Sequence, residues 1–98
     1  MAGYSLSNLA DSDLAGIYRY SYLTFGEARA DVYFLSLADC LRTLAETPRL
    51  GRPAQLKIPD LLRHEHEQHV IFYQIEADGI FVVRILHHSM EPTSWLTV

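Results

Sequence analysis

The stretch from His69 to Met90, HVIFYQIEADGIFVVRILHHSM, constrains this chain more than any other. Two runs rich in β-branched and aromatic residues flank Asp78-Gly79. Asp-Gly in that setting signals a β-hairpin, because both central residues of a type I′ turn take φ > 0. The spacing predicts strands over His69–Ala77 and Ile80–His87. Leu61–His66 alternates enough to add a third, antiparallel to them.

The first half of the chain reads differently. Tyr4–Leu6 fits a short strand. Ser7 and Asn8 offer N-cap oxygens, and Asp11 and Asp13 sit where a helix dipole favours acids. Ala10, Leu14, Ile17, Tyr18 and Ser21 recur at helical spacing, and Gly26 stops that helix. A second helix runs over Glu27–Glu46, with Ala30, Tyr33, Phe34, Leu37, Leu41 and Leu44 as its apolar stripe and Val32 and Leu35 widening it. Pro48 ends it. The following PRLGRPAQLKIPD, with three prolines and a glycine, reads as a loop. The fold class is therefore α+β. A short N-terminal strand and a helical hairpin pack with a three-strand antiparallel meander that forms one sheet. One domain spans 1–98, with 91–98 as a C-terminal tail whose Trp95, Leu96 and Val98 must dock on the domain, a partner or a second copy.

Composition narrows the function classes. At 98 residues, 49% hydrophobic and 20% charged, the chain is built to bury one core. Its single cysteine, Cys40, cannot form an internal disulfide and suits a reducing compartment. No apolar run reaches the roughly 20 residues that cross a bilayer, and no export signal opens the chain. The expected location is the cytoplasm, with no membrane association. The net charge of −4 argues against broad nucleic-acid binding. The charge is uneven, however. Arg49, Arg52, Lys57 and Arg63 form a basic island in an otherwise acidic chain, either a solvated loop or a contact for an acidic partner segment.

The chemical motifs are sparse. His64 and His66, two apart on a strand, share a face and could chelate a metal, but no further ligand pair has a recognisable spacing. No metal ligand set, cofactor site or catalytic residue is therefore assigned. His87 and His88 are expected on opposite strand faces, so that at most one belongs to any site. A Gly-rich phosphate loop, a Ser-centred elbow and a paired-carboxylate signature are all missing from the sequence.

Taken in order, these segments resemble the ParE toxins of the ParE/RelE superfamily. The resemblance is carried by Tyr4–Ser7, Asp13-Leu14 and Ile17-Tyr18, then by Phe25-Gly26 and Ala30. It continues through Leu44-Ala45, Pro48 and Leu50–Pro53 to Leu62-Arg63, His69–Tyr73, Arg84–His87 and Met90. Glu67-Gln68 stands where many members have Gly-Ser, which predicts a wider turn before His69. The resemblance implies a chromosomal or plasmid-borne growth inhibitor within a toxin–antitoxin hetero-oligomer. Its target would be DNA gyrase, and a ParD-like antitoxin would neutralise it by wrapping a C-terminal segment over its surface. Arg63, Arg84, His87, Met90 and Trp95 are the expected target contacts. Tyr18, Tyr22, Tyr33, Arg49, Arg52 and Lys57 are the expected antitoxin contacts.

The superfamily's RelE-like branch, ribosome-dependent mRNA interferases, is the alternative, with an inactive antitoxin-binding module as the third reading. An interferase must stabilise a pentavalent phosphate and activate a 2′-hydroxyl, which calls for clustered cations or acid–base groups. Here Val70 stands where some interferases carry arginine, and Arg84 is the only cation after Arg63. His88 lies near the catalytic histidine of one interferase group but lacks a basic cluster. The expected protein is accordingly not an enzyme.

Overall fold

The computed structural model describes residues 2–96. Strand β1 (Gly3–Leu6) leads into helix α1 (Asn8–Phe25), and Gly26 alone separates α1 from helix α2 (Glu27–Glu46). A 3₁₀ turn (Pro48–Leu50) follows, then strands β2 (Arg52–Pro53), β3 (Leu62–His66), β4 (His69–Glu76) and β5 (Gly79–His87), and a short helix α3 (Pro92–Trp95). Ser7 caps α1 as expected. Its backbone is extended, and its Oγ accepts from the Ala10 amide at 2.9 Å. Gly26, at φ 91°, permits the sharp reversal between the helices.

The sheet is larger than the predicted three-strand meander. It has five strands in the order β1-β5-β4-β3-β2. β1 runs parallel to β5, pairing Gly3 with Gly79 through Leu6 with Val82. The parallel pairing follows from the path of the chain. After the helical hairpin it enters the sheet at the far edge and meanders back until β5 lies beside β1. The predicted loop after Pro48 contains the edge strand β2, where Pro53 is tolerated because it sits opposite Leu62 with no strand beyond it.

The β4–β5 hairpin forms where predicted, but by another turn. Glu76 pairs with Gly79, so the loop residues are Ala77 and Asp78, and neither has positive φ. Only Gly79 does, at 141°. The glycine answers a close approach as well: a side chain there would collide with the Gly3 backbone, whose amide donates to the Asp78 carbonyl at 2.8 Å. The turn before His69 is also tighter than expected. His66 pairs directly with His69, so Glu67 and Gln68 form a two-residue loop, with Glu67 in the left-handed region at φ 51°.

Both sheet faces are covered. Ala10, Leu37, Leu41 and Leu44 of the helices pack on Ile71, Tyr73, Ile80, Val82 and Ile85. On the other face the connection after β2 and the C-terminal tail bring Ala54, Leu61 and Leu96 against Val70, Phe72 and Leu86. This explains why Val70, Ile71, Phe72 and Tyr73 are all buried in succession: β4 has a core on each side. Val32 and Leu35 do not widen the α2 stripe. They remain 69% and 66% exposed, since spacing 30, 33, 37, 41, 44 already covers the face that meets the sheet. Cys40 is half-buried, and burial pushes its thiol pKa up.

Tyr73 ties the α2 exit to the sheet. Its hydroxyl donates to the Pro48 carbonyl at 2.6 Å and accepts from the Gly51 amide at 2.9 Å, with the ring fully buried. Tyr73→Phe strands both backbone groups and is expected to cost about 1–3 kcal/mol. For a domain of this size that lowers Tm by roughly 4–8 °C per kcal/mol. Calorimetry checks this; an unchanged Tm would show that water takes over both bonds.

Candidate partner-binding groove

The first strand pairs with β5 only as far as Val82, yet β5 continues to His87. The open edge beyond is closed by side chains of the Ser7 cap and the α1 N-terminus. Ser7 Oγ donates to the Val83 carbonyl at 2.6 Å, and Asp13 Oδ2 accepts from the Ile85 amide at 2.9 Å. Val83 is the extra residue of a bulge, since Phe72 pairs with Arg84 and the next residue, Tyr73, with Val82.

Past the bulge, Arg84 meets Asp13 through two bonds, Nε–Oδ2 at 2.8 Å and Nη2–Oδ1 at 2.9 Å. Its Nη1 donates to the Trp95 carbonyl at 2.8 Å. The Asp13 hydrogen bond pushes the guanidinium pKa further up. Arg84 is buried with each guanidinium nitrogen bonded within the fold, so it is not available as the surface contact expected from the sequence; the uncovered end of β5 draws it into the fold.

Further along, α1, α2 and the ends of β4 and β5 enclose a groove of about 960 Å³. Ile17, Tyr20, Phe25, Val32, Ile85 and Met90 form apolar walls. Arg29 stacks over the Phe25 ring at 5.1 Å, and Glu67 and Gln68 lie at the rim. Leu9, Tyr20, Leu23, Phe25, Val32 and Leu35 are all exposed on the helical hairpin. A set of large apolar side chains this extensive, beside a concave groove, marks an interaction surface.

The polar end of the groove is built from histidines. His66, His69 and His87 stand directly opposite one another across β3, β4 and β5. Tyr33 Oη lies 2.6 Å from His69 Nδ1, and His66 Nε2 lies 3.0 Å from Ser36 Oγ. His87 Nδ1 pairs with Ser89 Oγ at 2.7 Å, and His88 Nε2 with Gln68 Oε1 at 3.0 Å. The rings of His87 and His88 stack at 4.4 Å instead of facing apart, because β5 ends at His87 and strand alternation ends with it. Burial first, then the neighbouring His87, His66 and His88, lowers the His69 pKa to about 4, while burial raises Tyr33 to about 12. Tyr33 therefore keeps its proton, which it donates to the His66 carbonyl at 3.3 Å, and His69 is neutral. Neither group is poised near pH 7, where acid–base catalysis is efficient.

The remaining expected contacts do not form one surface. Tyr33 lines the groove, but Tyr18 donates to Asp31 at 2.7 Å and packs edge-on against Phe34, and Tyr22 is exposed beside it. Arg49, Arg52 and Lys57 are exposed in the connection around β2. Arg52 pairs with Glu65 at 3.1 Å, and Arg63 lies over the Phe72 ring with its Nε 3.6 Å from Glu65. The basic island is thus partly neutralised within the fold. Met90 and His87 do reach the groove, whereas Trp95 is 48% exposed and Leu96 makes the tail's apolar anchor. Val98 lies outside the described residues. Sequence reasoning missed Asp13, Tyr20, Phe25 and Val32 as site residues. The available signal was the apolar excess outside the α2 stripe.

A family model described as the ParE toxin of type II toxin–antitoxin systems, parDE, matches residues 4–92. The chain is 31% identical over 96 residues to Toxin ParE1 of Caulobacter vibrioides, covering 98% of this chain and 99% of that protein. It is 32% identical over 89 residues to Toxin ParE1 of Mycobacterium tuberculosis, covering 90% and 91%. In fold it is similar to a chain of the chromosomal ParDE toxin–antitoxin system from P. aeruginosa, with TM-score 0.74, 17% identity and coverage of 89% and 96%. It is also similar to a chain of the RelBE2 toxin–antitoxin complex from M. tuberculosis, with TM-score 0.63, 16% identity and coverage of 89% and 98%.

Removing one partner of a buried ion pair leaves an uncompensated charge, at about 3–5 kcal/mol. Arg84→Ala is therefore expected to lower stability by that amount and to free the tail, seen as faster proteolysis after Met90. Denaturant unfolding measures the first; a loss under 1 kcal/mol would mean that water reaches Asp13.

Proposed function

Since the chain belongs to the ParE toxin family of type II toxin–antitoxin systems, we propose that its target is DNA gyrase and that a ParD-like antitoxin silences it by filling the groove. One observation carries the antitoxin half of this reading: the apolar groove and the exposed hairpin side chains have no occupant among the described residues. An amphipathic segment with apolar anchors at helical spacing fits such a surface. The similarity to a chain solved within a toxin–antitoxin complex supports the same partner class. A gyrase target and an antitoxin partner imply a cytoplasmic location under this reading. No helix among the described residues is long and apolar enough to cross a membrane.

The gyrase half rests on the family and on the chemistry of the site. A gyrase inhibitor needs complementary surface, whereas an RNA-cleaving toxin needs mobile cations and groups that titrate near neutrality. Arg84 is committed to Asp13, and the Tyr33–His69 pair is held far from pH 7 on both sides. These commitments support non-catalytic inhibition. Of the expected target contacts, Arg63, His87, Met90 and Trp95 retain accessible surface, and Trp95 is the strongest anchor among them.

Inducible expression is expected to arrest growth with a DNA-damage response, and co-expression of the antitoxin to relieve it. In a purified assay the protein should stabilise gyrase-cleaved plasmid and leave ribosome-bound mRNA intact. Codon-specific mRNA cuts without a gyrase effect would instead select the interferase reading.

Val32→Glu tests the groove directly. The side chain is exposed, so Tm should stay within about 1 °C. Antitoxin affinity should fall about 30-fold or more, as for a central anchor of roughly 2 kcal/mol. Unchanged affinity, measured by calorimetry, would place the antitoxin elsewhere.

A further inference from the structure

We propose that His69 and His87 form a two-histidine chelate for a divalent transition metal at the polar end of the groove. The two residues are direct cross-strand partners on β4 and β5. Directly opposite positions in an antiparallel pair bring Cβ atoms to roughly 4.5–5.5 Å, within reach of a shared ligand. The rings meet at right angles with centroids 5.5 Å apart. Two imidazoles bound to one tetrahedral zinc through nitrogens at about 2.0–2.1 Å place their centroids roughly 5 Å apart, close to the separation of these rings.

The hydrogen bonds engage both rings at Nδ1. Tyr33 Oη occupies His69 Nδ1, and Ser89 Oγ occupies His87 Nδ1. With Tyr33 donating to the His66 carbonyl, its oxygen accepts from His69 Nδ1–H and leaves Nε2 of that ring for a metal. His87 Nδ1 accepts from the Ser89 amide at 3.2 Å, so a metal at its Nε2 shifts the ring proton to Nδ1, where Ser89 Oγ accepts it. Bonding of the second ring nitrogen to an oxygen is the arrangement that orients metal-bound histidines. His66, third in the cross-strand row, is committed through Nε2 to Ser36, and Tyr33 packs against both its ring and that of His69. Among the described residues no three His, Cys, Asp or Glu side chains converge as a metal site. The chain therefore supplies two ligands, and water or a side chain of the groove's occupant completes the shell. Imidazole donors suit Zn²⁺, Ni²⁺ and Cu²⁺, not Mg²⁺ or Ca²⁺. This inference is independent of the gyrase target.

The test uses the full-length chain without an affinity tag, titrated calorimetrically with Zn²⁺ and with Ni²⁺. One ion per chain is expected, with broadening of the His69 and His87 ring resonances by Ni²⁺. His69→Gln and His87→Gln should each weaken binding about 100-fold, and Tyr33→Phe about tenfold, as for loss of an orienting partner. His64→Gln should leave binding unchanged. His87 lies at the strand end, so His87→Gln decides the matter should His69→Gln fail to fold by circular dichroism. No saturable binding in the parent chain, full binding in His87→Gln, or loss of binding in His64→Gln each overturns the proposal.

Discussion

Asp13 is the residue on which the two halves of this fold depend. One carboxylate accepts from the Ile85 amide and from two guanidinium nitrogens of Arg84, residues more than seventy positions away. It closes the sheet edge that the four-residue β1 leaves open, and it fixes α1 over β5. Through Arg84 it also holds the Trp95 carbonyl, so the tail is tied to the same point. Burying two charges is costly by itself. The cost is offset here because each guanidinium nitrogen donates a bond within the fold and the carboxylate also accepts from the Ile85 amide.

That anchoring shapes the groove. With α1 pinned at its N-terminus and the reversal at Gly26 set by one residue, the hairpin leans on the sheet at one end and leaves a concave apolar surface at the other. The helices bury only narrow stripes. Tyr20, Leu23, Val32 and Leu35 are left in solvent, a destabilised surface for an isolated domain and a suitable one for a protein held in complex. The histidine row at the groove's end is a product of strand register. A shift by one residue in either hairpin would send alternate members to the opposite face.

Most elements could be read directly from the sequence. The limits of α2 match the predicted Glu27–Glu46, and Ser7, Gly26 and Pro48 punctuate the helices as their chemistry requires. Those signals are local: capping, φ restriction and apolar periodicity act within a few residues. The errors arose where a distant segment decided the outcome. Gly79 serves β1 as much as its own turn, Pro53 joins a sheet edge, and Val32 and Leu35 stay outside a core that the sheet's width limits.

The sequence by itself determined the helical hairpin, the β4–β5 pairing, the family and the near absence of catalytic motifs. Each depends on residue types in a fixed linear order. Only the tertiary structure decided that Arg84 is a buried anchor, that Tyr33, His69 and His87 meet, and that the expected contact residues divide between the groove, the α1 ridge and the β2 edge. These facts depend on contacts between segments many residues apart. Such contacts are set by the register of one strand against another and by the angle at which helices cross a sheet, neither of which a single side chain encodes.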